Sequence, residues 1–71
     1  MRFEEALQAL REGKFVARAD WYGLYLIMQP GDRILEFEAN SIHGNISRTW
    51  RVESSDLLAE DWKLVEIGGA T

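Results

Sequence analysis

The chain contains no cysteine. That excludes disulfides and thiolate metal sites, and it fits a reducing compartment. There is one histidine, so no His/Cys cluster can be assembled around a metal ion. His43 lies beside Gly44 and reads as an exposed polar turn residue. A Ser–His–Asp arrangement could be composed from Ser41, His43 and a distant Asp, but no spacing favours it. A glycine-rich phosphate loop after a strand is also missing. No charged leader precedes an apolar run of secretory length, and no stretch approaches the ~20 apolar residues of a membrane span. A cytoplasmic protein without a membrane partner is therefore expected. Basic residues are few: 8 Lys and Arg stand against 12 Asp and Glu, a formal net charge of −4. Nucleic-acid binding draws most of its affinity from cations meeting phosphates, so nucleic acid is not expected as a partner. The charges are interspersed, as on a solvated surface.

What is present suits one small globular domain. Residues 1–67 form a single ligand-binding unit in this reading, and residues 68–71, Gly-Gly-Ala-Thr, a flexible tail. Of the 71 residues 46% are apolar, and eight are aromatic. A domain of this size buries only roughly 60% of the surface its unfolded chain exposes. The large apolar residues exceed what one small sheet and a ten-residue helix can cover, so a homo-oligomer held through the sheet and the N-terminal helix is expected.

The periodicity predicts an α+β fold: an N-terminal helix packed on a small antiparallel sheet of about five strands, with a short helical turn before the last strand. Phe3, Ala6, Leu7 and Leu10 follow the i, i+3, i+4, i+7 spacing of a helix over 3–12. Glu4 and Glu5 in its first turn and Arg11 in its last suit the helix dipole. Gly13 stands where a left-handed C-cap belongs. Strands are predicted over 14–18, 24–28, 34–39, 46–52 and 62–67. A loop spans 20–23. Gln29-Pro30-Gly31-Asp32 reads as a type II turn, with Gly31 supplying φ > 0. Residues 40–45 form a second turn. In strand 34–39, Leu35, Phe37 and Ala39 share one face and Glu36 and Glu38 the other, which reads as the wet side of a hairpin rather than a catalytic carboxylate pair. Ser54 or Ser55 is positioned to N-cap a turn through 56–60.

Trp21, Tyr22 and Trp50 carry the functional signal. A flat aromatic face stacks on any nucleobase, worth about 1–3 kcal/mol per base. Trp21 lies in a loop beside Arg18 and Asp20, and Trp50 stands between Arg48 and Arg51. An arginine forks onto a phosphate and a carboxylate accepts from ribose hydroxyls. Each aromatic also has a plain role as a cap on a core too small to cover itself. For Trp62, beside Leu57 and Leu58, that plain role is the expected one; for Phe3, at the head of the helix stripe, the two readings balance.

The order Phe3-Glu4-Glu5-Ala6-Leu7, Gly13-Lys14, Val16-Ala17-Arg18, Trp21, Tyr25-Leu26, Trp50 and Asp56-Leu57-Leu58-Ala59-Glu60-Asp61-Trp62 resembles the second family of Thoeris anti-defence proteins. These are small phage-encoded sponges long catalogued as a domain of unknown function. The resemblance runs from Phe3 to Val65, and its most specific part is the run from Asp56 to Trp62. It implies homo-oligomers, typically tetramers, with ligand pockets between subunits that sequester glycocyclic ADP-ribose, a Thoeris immune signal. Some members of similar sequence take up cyclic oligonucleotides at a separate site. By the same resemblance Phe3 and Trp21 are apolar pocket walls, with Arg18 or Arg48 among their polar partners. The chain departs from the family where Trp-x-Pro-Ser is usual. Here Trp50-Arg51-Val52-Glu53 lacks the Pro and Ser, and Glu53 adds negative charge. The loop after Trp21 is also shorter than usual.

The expected function is a stoichiometric sponge for a cyclic nucleotide signal in the host cytoplasm. It is not an enzyme, uses no cofactor or metal, and binds through Phe3, Arg18, Trp21, Tyr22, Arg48 and Trp50. The alternative is a protein-interaction module that binds a host protein through exposed aromatics.

Overall fold

The computed structural model describes residues 1–41 and 44–66, without the side chains of 39–41, 44 and 45. The expectations for His43 and for the tail at 68–71 lie outside this range. The element order is α1 (Phe3–Arg11), β1 (Phe15–Arg18), β2 (Leu24–Gln29), β3 (Arg33–Ser41), β4 (Gly44–Thr49), α2 (Ser54–Leu58) and β5 (Trp62–Val65). The strands form one antiparallel sheet in the order β4-β3-β2-β1-β5. This is the α+β architecture that the periodicity predicts.

Helix α1 starts and stops as its sequence dictates. The Glu5 side chain reaches back to accept the backbone N–H of Arg2 at 2.9 Å, one half of a capping box. At the other end Gly13 adopts φ 85°. The Lys14 N–H then donates to the Ala9 carbonyl at 3.0 Å and the Gly13 N–H to the Leu10 carbonyl at 3.0 Å, the two bonds of a Schellman cap. In the β2–β3 hairpin Gly31 takes φ 87°, as a type II turn requires, and Asp32 follows at φ 60°.

Sheet register sorts the side chains into two faces, since directly opposed residues share a side. Val16 pairs with Leu26 and Leu64, and Leu26 with Glu36, which pairs with Arg48. This is the face that α1 covers. Ala6, Ala9 and Leu10 of the helix bury themselves against Val16, Leu26 and Trp62. Helix α1 packs on β1, β2 and β5. At 1.5 Å per residue it is only about 13 Å long, and it leaves the β3–β4 side of that face open.

Glu36 and Glu38 therefore lie on the helix side of the sheet, on a part of that face the helix does not cover. Leu35 and Phe37 point away from the helix, in register with Ile27 and Tyr25. The reason is the short helix: beyond its reach, the helix-side positions of β3 meet water and carry charge. The opposite face is apolar instead. Phe15, Tyr25 and Phe37 stack in a row there, with ring centroids 5.4 and 5.1 Å apart. Burial among them raises the Tyr25 phenol above its ordinary pKa. No helix of the described residues lies over this face.

Two local expectations are corrected. Strand β4 ends at Thr49 rather than Val52; Trp50 makes one more ladder contact, its N–H to the Ile34 carbonyl at 3.1 Å, and the chain then leaves the sheet. Helix α2 begins at Ser54, with Glu53 in the cap position and no side-chain cap bond, so neither Ser54 nor Ser55 serves as N-cap. The Glu53 carbonyl accepts the N–H groups of Asp56 and Leu57, which closes the single turn without a hydroxyl. The crossover from β4 to β5 carries the chain from one sheet edge to the other over the helix-covered face, where α2 touches α1.

A Cβ built on Gly13 meets nothing within 4 Å, so its replacement tests backbone conformation alone. Gly13→Ala should destabilise the protein by about 1–2 kcal/mol. Gly13→Asn, which tolerates φ > 0 better, should cost less. Urea unfolding followed by tryptophan fluorescence measures both.

Candidate functional site

The crossover, the N-terminus of α1 and the loop after β1 converge on one residue, Trp62. It opens β5, where its pairing with Arg18 turns it to the helix side, and it is 2% exposed. Its indole N–H donates to the Asp56 carbonyl at 2.9 Å, so the one polar atom of the ring is satisfied. Three aromatic residues pack around it. Phe3 lies at 5.4 Å between ring centroids, Trp21 edge-on at 5.4 Å and Trp50 edge-on at 6.0 Å. Phe3 also meets Trp50 at 5.7 Å. Edge-to-face contacts at these distances suit the quadrupoles of the rings.

Arg18 completes the assembly, with its guanidinium carbon 6.0 Å from the Trp62 ring. Its Nη1 donates to Asp56 at 2.8 Å, and its Nε and Nη2 fork onto Asp61 at 2.5 and 3.5 Å. The Arg18 and Asp56 side chains are 19% and 11% exposed, which shields the pair from solvent screening. The bond to Asp61 raises the Arg18 pKa further above its ordinary value. The same bond holds the Asp61 carboxyl below the usual carboxylate range. One arginine thus clamps the end of β1 to α2 and to the start of β5.

Phe3, Trp21, Trp50 and Arg18, picked out separately in the sequence, therefore belong to one cluster. Arg48 and Tyr22 do not join it. Arg48 lies on the β3–β4 pair, where Nε and Nη2 donate to Glu36 at 3.0 and 2.7 Å; Glu38 stands 3.5 Å away. The Tyr22 ring is 91% exposed. Trp62, expected only to pad the core beside Leu57 and Leu58, is the hub of the cluster. Leu57 and Leu58 are 47% and 80% exposed and remain at the surface. Asp56 and Asp61 had no individual signal in the sequence, because they lie 38 and 43 residues from their partner. Their place on either side of the Leu-Leu-Ala-Glu run was the available clue.

The cluster is shared, but its outer surfaces are not. Phe3 lines a hollow of about 410 Å³ with Arg2, Leu57 and Leu58. Trp21 lines another of about 360 Å³ with Ala17, Tyr25, Lys63 and Val65. Trp50 faces a third. Among the described residues no group of three or more His, Cys, Asp or Glu side chains is placed to hold a metal ion, and no helix is long and apolar enough to cross a membrane.

Asp61 contributes stability that is fully present above the ordinary carboxylate pKa, about 4, because its folded pKa is the lower one. That contribution is lost as pH falls through the depressed folded value. The urea midpoint of the wild type should therefore drop below pH ~4. Asp61→Asn should lower the midpoint at pH 7 and reduce the drop in acid. An unchanged acid profile in the variant shows that the clamp adds nothing to folding.

Comparison with known proteins shows the family. A family model described as the Thoeris anti-defense 2-like domain, Tad2-like, matches residues 1–65, the span that holds the whole cluster. Thoeris anti-defense 2 of Bacillus phage SP01 is 30% identical over an alignment 84 positions long, gaps included, that covers 92% of this chain and 94% of the relative. Helix, sheet, crossover and aromatic hub all lie within the matched span, and the chain belongs to the Thoeris anti-defense 2-like family.

Proposed function

We propose that the protein is a phage-type anti-defence sponge, which binds a cyclic nucleotide immune signal of the glycocyclic ADP-ribose class and holds it without cleaving it. Family membership supplies the anti-defence role. The observation that carries the finer reading is the aromatic hub: Trp62 holds Trp21 and Trp50 edge-on while both stay partly exposed. Indoles fixed before a ligand arrives lose little freedom on binding, and such preorganisation favours affinity. Stacking at about 1–3 kcal/mol per base, with charge-assisted phosphate contacts, can reach the roughly −12 kcal/mol of nanomolar binding. A sponge needs no more, because a messenger acts only when its free concentration exceeds the Kd of its receptor.

In this reading the working form is a homo-oligomer, a tetramer by likeness to the family, in the cytoplasm of the infected cell. The uncovered row of Phe15, Tyr25 and Phe37 supports self-association, since a second copy would remove that apolar face from water. Walls from a second subunit would also complete hollows that are shallow in one chain, and would give the exposed Tyr22 a surface to close against. Arg18 then acts from its seat over Trp62, by orienting the indoles. Exposed Tyr22, Val52 and Leu58 favour a second reading, a module that docks on a host protein.

Titration calorimetry of the full chain with glycocyclic ADP-ribose tests the proposal. Tight saturable binding is expected, with intact ligand recovered after heat denaturation and more than one chain per particle by light scattering. Trp21→Ala should weaken binding about fivefold to a hundredfold, the value of one stacking contact, with its circular dichroism unchanged. A cleaved ligand would make the protein an enzyme. Absence of binding, with a host protein captured instead, would favour the docking module.

A further inference from the structure

The third hollow, at the hairpin end of the sheet, is an open depression of about 460 Å³ lined by Arg33, Ile34, Thr49, Trp50, Val52 and Leu57 among others. That volume lies within the usual range for small-ligand sites, about 300–1,000 Å³. Its walls are mainly apolar. Val52 and Leu57 are 52% and 47% exposed, so they hold apolar surface in water that a ligand could cover. Trp50 packs against Phe3 and Trp62 and also lines this hollow.

Charge decides what the hollow can take. Arg18 spends its charge on Asp56 and Asp61, Arg48 on Glu36 and Glu38, and Lys14 on Glu12. Arg33 is exposed and has no carboxylate within ion-pair distance among the described residues. It lines the hollow together with Thr49, whose hydroxyl is a second donor. Asp32 also lines the hollow. Its carboxylate repels a phosphate but accepts hydrogen bonds from sugar hydroxyls.

We infer that this hollow is the site of a ribonucleoside phosphate: the base lies on Trp50 between Val52 and Leu57, the phosphate meets Arg33 and Thr49, and the ribose hydroxyls donate to Asp32. The inference rests on the sponge reading for its ligand class, and it makes Arg33, rather than Arg18 or Arg48, the residue that meets the anion. An aromatic ring and an anion on one ligand are what an indole face and an unpaired guanidinium recognise together.

The full chain carries three tryptophans, so an ¹⁵N-labelled sample shows three indole N–H signals, assigned through Trp50→Phe and Trp21→Phe. Adenosine 5′-monophosphate should move the Trp50 signal saturably and leave that of Trp62, bonded to the Asp56 carbonyl, in place. Arg33→Gln should weaken this binding about tenfold to a hundredfold, the range for one charged hydrogen bond. Adenosine should bind the wild type as weakly as the monophosphate binds the variant. The inference is overturned if the monophosphate leaves Trp50 unmoved, or if Arg33→Gln binds it as tightly as the wild type. Glycocyclic ADP-ribose bound equally by the wild type and Arg33→Gln also overturns it, while the sponge reading stands. If the monophosphate moves Trp50 in an Arg33-dependent way but glycocyclic ADP-ribose does not bind, the hollow is supported and the sponge reading fails.

Discussion

Burial of the Trp62 indole is the interaction on which the remaining structure depends. It has the largest of the fully buried side chains, in a chain with little else to bury. An indole can go that deep only if its N–H finds an acceptor, and the Asp56 carbonyl supplies one. That bond fixes α2 against the start of β5. Arg18 then ties the Asp56 and Asp61 carboxylates to β1. A strand of four residues at a sheet edge, β5, gains from this a ring in the core and an ion-pair clamp at its head. The same packing sets Phe3, Trp21 and Trp50, because each takes its orientation from the surface of Trp62.

The second constraint is the mismatch between a five-stranded sheet and a single nine-residue helix. Strands lie about 4.8 Å apart, so the sheet is about 19 Å wide, and a helix about 10 Å across cannot roof it. Chemistry follows the roof. Under it stand Val16, Leu26 and Trp62; beyond it, on the same face, Arg48 pairs with Glu36 and Glu38. Among the described residues no helix covers the opposite face, yet it carries Phe15, Ala17, Tyr25, Ile27, Leu35 and Phe37. A second copy of the chain, as in the proposed oligomer, would remove that face from water. The same mismatch separates the aromatic cluster into several outlets, with Phe3, Trp21 and Trp50 each lining a different hollow.

Much of this was legible in the residues. The i, i+4 stripe of α1, Gly13 as a left-handed cap and the Pro-Gly turn are local effects, settled by φ preferences and by the 3.6-residue period. Strand alternation gave the number of strands and the in-and-out pattern of β3. It did not tell which side of β3 the helix would take, because alternation is symmetric between faces until a roof is placed. Strand β4 starts and ends earlier than its pattern suggests, because the residues from Ile46 to Val52 remain strand-like throughout, whereas the crossover needs the chain to leave the sheet at Trp50. A serine cap before α2 was a sound local inference, but the single turn closes on the Glu53 carbonyl alone.

By itself the sequence determined the fold class, the α1 boundaries to within a residue, the hairpin turn and the aromatic residues worth attention, because all of these rest on interactions between near neighbours in the chain. Only the tertiary structure decided how those aromatics relate. Phe3, Trp21 and Trp50 are far apart in sequence, and Trp62, read as plain core, joins them. Arginine choice was equally beyond the sequence. Arg18, Arg33 and Arg48 look alike when each is judged by its neighbours in the chain. Charge pairing is settled by distance in space, and folding brings carboxylates to Arg18 and Arg48 while leaving Arg33 beside an indole-lined hollow.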